Sequence, residues 1–234
     1  MNPSEWTIRT GSSLPAGIPR GHCGVMALVA FCGVAGALSG AAGGTLLTRL
    51  RRGCTVHSGW LAIAVSLLWA AVGWRVASGQ LPAWWLPVPL AVTWFAVLLA
   101  VVDLRHRRLP DALTLPAYPA IATATVAAAA LGDDWTIAVR AALGAAVFLT
   151  AHALVLLTSP RSLGAGDVKL SGSVGAVLAA AGWPALALAT VLAAVFTVLL
   201  GIATHRRDGI PHGPGLLAAT CLFAMFPMAQ VSGS

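Results

Sequence analysis

Eight apolar runs, at about 23–48, 59–77, 84–102, 112–130, 137–158, 168–182, 185–203 and 213–231, take up most of this 234-residue chain. Crossing a hydrocarbon layer of ~30 Å takes about 20 helical residues at ~1.5 Å each, and most of the runs come close to that length. Backbone in hydrocarbon must satisfy its own N–H and C=O groups, so runs of this kind fold as helices. Only 9% of the residues are charged, against about 25% in a soluble domain. The chain lacks the polar surface to cover a water-soluble core. The pattern predicts an all-α integral membrane protein with about eight transmembrane helices. The sixth run is short, and Gly172 and Gly175 interrupt it.

The formal net charge is +7, which in a soluble protein would suggest nucleic acid as partner. Here the basic residues lie in short loops between apolar runs, so the expected partner is the bilayer and no nucleic acid is implied. Loops 49–57, 103–111, 159–169 and 204–212 fall on one side of an eight-span arrangement. They hold ten of the fourteen basic residues: Arg49, Arg51, Arg52, Arg105, Arg107, Arg108, Arg161, Lys169, Arg206 and Arg207. Cytoplasmic loops carry such an excess, which turns this side to the cytoplasm and both termini outward. Trp74, Trp84, Trp85, Trp135 and Trp183 fall near the opposite boundary, where an interfacial aromatic belt is expected. Residues 1–22 form a polar tail. The run at 23–48 exceeds the apolar core of a cleaved signal peptide and is read as a span.

Against this background two of the seven acidic residues stand out. Asp103 closes an apolar run in LAVVDLRHRRLPDALTLP, and Asp167 opens one in SLGAGDVKL. Two spans lie between them, so both return to the same membrane face. Ionisable residues at such depths are rare and usually functional. Two carboxylates held together share one proton, since like charges at ~3 Å cannot both ionise. The ionised member can take a proton from water while the neutral one donates to a carbonyl oxygen, which is acid–base hydrolysis of an amide. The sequence has no nucleophile elbow and no phosphate-cradling loop. Cys23, Cys32, Cys54 and Cys221 lack metal-site spacing, so neither a metal nor another cofactor is expected. Two other readings stay open on spacing alone: a plain turn with a capping Asp, and a transporter whose Asp pair handles protons or cations.

Several neighbours have candidate roles. Gly164 and Gly166 carry no Cβ, so a substrate strand can approach the backbone, and positive φ is accessible there. Lys169, the sole lysine, either snorkels to the head groups or sets the field at the carboxylates. Asp111 is expected to cap or salt-bridge the fourth span, and His152 to make an interhelical hydrogen bond. Pro87, Pro89, Pro116 and Pro119 fall inside expected spans, as kinks that neighbours satisfy.

The segment Leu163–Leu170 resembles the GxGDxKL motif of the type IV prepilin peptidases, a branch of the GxGD membrane aspartyl proteases. The run from Asp103 through Leu109-Pro110-Asp111-Ala112-Leu113-Thr114-Leu115-Pro116 resembles their other motif, an Asp followed by LPDxLTLP. Pro211-His212-Gly213-Pro214 is similar to the Pro-x-Gly-Pro that opens the family's last span, with His212 where an apolar or aromatic residue is usual. The resemblance covers about 84–231 and implies that Asp103 and Asp167 are the catalytic pair, with Gly164, Gly166, Lys169, Pro110 and Asp111 in the active-site loops. It implies prepilin-like protein substrates, with a short basic leader, a glycine before the cut and an apolar helix after it. It also implies an inner-membrane location with the cut at the cytoplasmic edge. The expected division is a tail at 1–22, a helical hairpin at 23–83 and a catalytic membrane domain at 84–234. Many family members carry a cytoplasmic insert with paired CxxC motifs, linked to N-methylation, after the first span. The loop here, about nine residues at 49–57, has no room for it, so peptidase activity is expected without methyl transfer. Oligomeric state is left open.

Overall fold

The computed structural model describes residues 20–49, 58–106, 111–158, 164–203 and 213–228. Among these the chain forms eight α-helices and no strand: α1 Arg20–Arg49, α2 Ser58–Ala77, α3 Pro87–His106, α4 Asp111–Leu131, α5 Thr136–Thr158, α6 Ala165–Ala181, α7 Trp183–Ala203 and α8 Gly213–Met225. The helices α1 to α5 are each long and apolar enough to cross a membrane. The chain is a multi-pass helical membrane bundle, as the apolar runs predict.

Boundaries shift for local reasons. Residues Ala83–Trp85 form a 3₁₀ turn, and α3 starts at Pro87, where a missing N–H costs nothing. Pro87 and Pro89 therefore sit in the first turn of α3 and are not kinks within a span, whereas Pro116 and Pro119 are inside α4. The last helix ends at Met225, short of the expected 231, just before Pro227, which disfavours helical geometry in the residue ahead of it.

The centre of the bundle is α6. Every residue from Leu170 to Ala181 is buried, with α4, α5, α7 and α8 packed around it. A helix that is apolar all round belongs in an interior. The small side chains of SGSVGAVLAAA let neighbouring backbones come close, which is how helices gain contact in lipid, where no hydrophobic drive separates them from the solvent. Gly144 of α5 and Gly175 of α6 lie directly against each other, and a methyl on either would overlap the other's carbonyl. The α1–α2 pair uses the same device: a methyl on Gly36 would stand 2.9 Å from the Val65 carbonyl. Outward from these seams α1 presents large apolar side chains such as Phe31, 72% exposed, as a lipid-facing helix does.

Polar side chains tie the periphery to the core. The Trp94 indole donates from α3 to the Ser39 carbonyl of α1 at 2.9 Å. At the far end Trp85 donates to Ala224 O at 2.8 Å and Arg75 Nε to Met225 O at 3.1 Å. Both bonds satisfy last-turn carbonyls of α8, which have no partner within the helix. Trp85 is thus a core residue, 1% exposed, and not a member of the aromatic belt. Its indole N–H finds a partner in the protein rather than at the lipid surface. Trp74, Trp135 and Trp183 are exposed at that boundary.

Gly175→Val is expected to lower bundle stability by about 1–3 kcal/mol through overpacking against α5. Thermal unfolding in detergent measures it, with Gly24→Val as control, because a side chain at Gly24 meets nothing within 4 Å.

Candidate active site

Three helix ends meet on one face of the bundle. Asp103 lies in the last turn of α3, buried to 6% exposure. Asp167 lies in the first turn of α6, half-buried. Gly213 opens α8 and is itself buried. A methyl placed on Gly213 would stand 2.6 Å from Asp103 Oδ2 and 3.5 Å from Asp167 Oδ1. The two carboxylates therefore converge on one point of backbone, and their oxygens can be no farther apart than those distances combined.

The local sequence explains how Asp167 reaches that point. Gly164 is the extended N-cap of α6, with φ −77° and ψ 143° and no side-chain cap. The Asp167 N–H donates to Gly164 O at 3.0 Å, which turns the chain so that the carboxylate stands on the first helical turn. Neither Gly164 nor Gly166 has positive φ; among the described residues the glycines that do are Gly79 and Gly182. What the first position supplies is room: a methyl on Gly164 would touch Asp167 Oδ2 at 3.4 Å.

Asp103 Oδ2 is buried and has no hydrogen-bond partner among the described residues. Such an atom costs free energy on the order of 1–3 kcal/mol and calls for an explanation. A proton shared with a neighbouring carboxylate, or a reacting water, would supply the missing bond.

Lys169 and Asp111 form an ion pair at 2.7 Å across α6 and α4, the salt bridge expected of Asp111. This gives Lys169 a role other than snorkelling, and its charge is already matched by a carboxylate. Half-exposed pairs contribute roughly 0–1 kcal/mol, so the pair positions more than it stabilises. It joins the segment that follows Asp103 to the segment that carries Asp167. One turn deeper, Tyr118 Oη donates to the Lys169 carbonyl at 2.6 Å and packs on Gly172. His152, by contrast, bonds within its own helix, to Phe148 O at 2.9 Å. At mid-span its nearest acceptor is its own backbone one turn back, and the imidazole also stacks on the Phe148 ring. Pro110, Arg107, Arg108, Pro211 and His212 lie outside the described residues. No group of three or more His, Cys, Asp or Glu that could hold a metal occurs among the described residues.

Gly213 and Tyr118 were not among the site residues expected from sequence. Gly213 had a signal, the Pro211-His212-Gly213-Pro214 stretch that opens the last apolar run. Tyr118 had only the fact of being the sole tyrosine.

The model of the type IV leader peptidase family matches residues 90–202, a stretch that contains both aspartates. The prepilin leader peptidase/N-methyltransferase of Aeromonas hydrophila is 32% identical over 177 residues, 72% of this chain and 59% of that protein. Over residues 90–202 the chain is similar to the type IV leader peptidase family. Proteins of the same name from Stutzerimonas stutzeri and Legionella pneumophila are each 30% identical, over 67% and 58% of this chain and 54% and 48% of their own lengths. The chain thus spans about half, 48% to 59%, of the length of the relatives it matches. No solved structure matches it.

Gly213→Ala should leave helical content intact and lower any hydrolytic activity that needs both carboxylates by at least about tenfold, because the new methyl displaces a carboxylate. Activity at the wild-type level, in a variant of unchanged fold, would mean the carboxylates need not meet at Gly213.

Proposed function

We propose that this chain is a membrane aspartyl endopeptidase that removes the leader from prepilin-like precursors, with Asp103 and Asp167 as its catalytic pair. The observation that carries the proposal is the convergence of both carboxylates on Gly213, within a chain similar to the leader peptidase family over residues 90–202.

In this mechanism the two carboxylates hold one proton between them. The ionised member takes a proton from a water that attacks the scissile carbonyl, and the protonated member donates to the carbonyl oxygen. A tetrahedral intermediate forms. The proton taken from water passes on to the leaving nitrogen, a hydroxyl of the intermediate returns its proton to the other carboxylate, and the C–N bond breaks, which restores the singly protonated pair. Helix ends favour one assignment. Asp167 faces the partial positive charge of the α6 N-terminus, and Asp103 the partial negative charge of the α3 C-terminus, so Asp167 is the base and Asp103 the acid.

The site's place supports proteolysis over transport. Both carboxylates are at helix ends on one face, where an apolar substrate helix would begin, and not midway along the bundle as in a transporter. The excess of basic residues in the neighbouring loops supports a cytoplasmic orientation of that face. In this scheme the α1–α2 hairpin is an accessory unit and 84–234 the catalytic domain. Only residues 50–57 connect α1 to α2, too few for a methylating domain there.

Purified chain incubated with a prepilin should produce mature pilin, and Asp103→Asn and Asp167→Asn should each cut the rate by about a thousandfold. With S-adenosylmethionine present the new amino terminus should stay unmethylated by mass spectrometry. Cleavage near the wild-type rate in either variant would dismiss the pair, and a methylated product would dismiss the peptidase-only reading.

A further inference from the structure

The far end of the bundle holds a cavity of about 280 Å³, lined by Trp84, Trp85, Ile137, Pro227, Asp134 and Arg140 among others. It is bounded by the C-terminal end of α6, the N-terminal end of α5 and the 3₁₀ turn before α3. Every one of these ends points away from Asp103 and Asp167, so the cavity is separate from the proposed active site.

Its polar groups are left open in a particular way. Arg140 Nε is buried and has no hydrogen-bond partner among the described residues. The nearest carboxylate oxygen, Asp134 Oδ2, stands 4.0 Å from Arg140 Nη2, beyond the ~2.7–3.2 Å of a hydrogen bond. Asp134 is held in place from its other oxygen. Oδ1 accepts from the Thr136 hydroxyl at 2.6 Å and the Thr136 N–H at 3.0 Å, capping α5. The Thr136 hydroxyl keeps the Asp134 carboxyl below the usual carboxylate range, with desolvation opposing it and the Thr136 N–H and the Arg140 charge adding smaller lowering effects. Arg140 and Asp134 are thus a cation and an anion with a gap between them, on the wall of an aromatic-lined hollow.

The level in the membrane says what fills it. Trp74, Trp135 and Trp183 are exposed at the same end of the bundle, and exposed tryptophans mark the head-group zone. Pockets for whole drug-sized ligands run to about 300–1,000 Å³, so a hollow of this size suits a head group and not an entire lipid. We propose that it binds the head group of a phospholipid bearing both a phosphate and a primary ammonium, as in phosphatidylethanolamine. The phosphate takes the planar guanidinium fork of Arg140, which suits paired oxygens. The ammonium takes Asp134 Oδ2, which faces Arg140 across 4.0 Å without a hydrogen bond between them, and Trp84 and Trp85 cover the glycerol end.

The test uses the full chain in nanodiscs of phosphatidylcholine with equal minor amounts of phosphatidylethanolamine and phosphatidylglycerol. Native mass spectrometry after release counts the lipids retained. Wild type should keep phosphatidylethanolamine in preference to both others, and Arg140→Gln should lose about tenfold of that retention. Asp134→Asn keeps an N-cap and so the fold. It should retain phospholipid but lose the preference for ethanolamine over glycerol. Unchanged retention in Arg140→Gln would overturn the site, and equal retention of both minor lipids by wild type would overturn the head-group assignment. Thermal protection by inorganic phosphate as strong as that by the lipid would show a free-anion site instead.

Discussion

Two carboxylates brought together at the edge of a membrane bundle repel each other, and the structure depends on how that repulsion is accommodated. Asp103 comes from the end of α3 and Asp167 from the start of α6, and both point at Gly213 of α8, which has no side chain to obstruct them. The arrangement needs three helix ends at one level. A shift of α3, α6 or α8 by one residue would move its group by about 1.5 Å and separate them.

That demand explains the rest of the bundle. The helix carrying Asp167 is the most enclosed in the molecule, fixed on the α5 side by the Gly144–Gly175 contact and on the α4 side by Tyr118 against Gly172. Bonds from Trp85 and Arg75 hold the end of α8, so the position of Gly213 at its start is set from the opposite face. The Lys169–Asp111 pair joins α6 to α4 beside the carboxylates. Small residues supply the closeness, and a few hydrogen bonds supply the register.

Much of this was legible in the sequence. Run length and scarcity of charge predict eight helices, and the two aspartates follow from charges placed where they are costly. The face they share follows from counting spans. Other features depend on three-dimensional partners and left no periodic trace. That Trp85 is core is settled by a carbonyl of α8, far off in sequence. That Lys169 pairs with Asp111 depends on α4 and α6 lying side by side. Gly164 resembles a residue chosen for unusual backbone angles, yet its φ is ordinary and its role is space. The glycine that matters most for the site, Gly213, is marked in the sequence by its Pro-x-Gly-Pro setting, but that it faces both carboxylates shows only once the side chains around it are placed.

The most direct measurement is binding of a substrate-like peptide whose scissile amide is replaced by a hydroxyl-bearing isostere, a stable likeness of the tetrahedral intermediate. A pair of carboxylates built to stabilise that intermediate should bind the isostere at least about a hundredfold more tightly than the amide peptide. Asp103→Asn and Asp167→Asn should each abolish the preference. Equal binding of isostere and amide by the wild-type chain, or a preference that survives loss of either aspartate, would contradict the account.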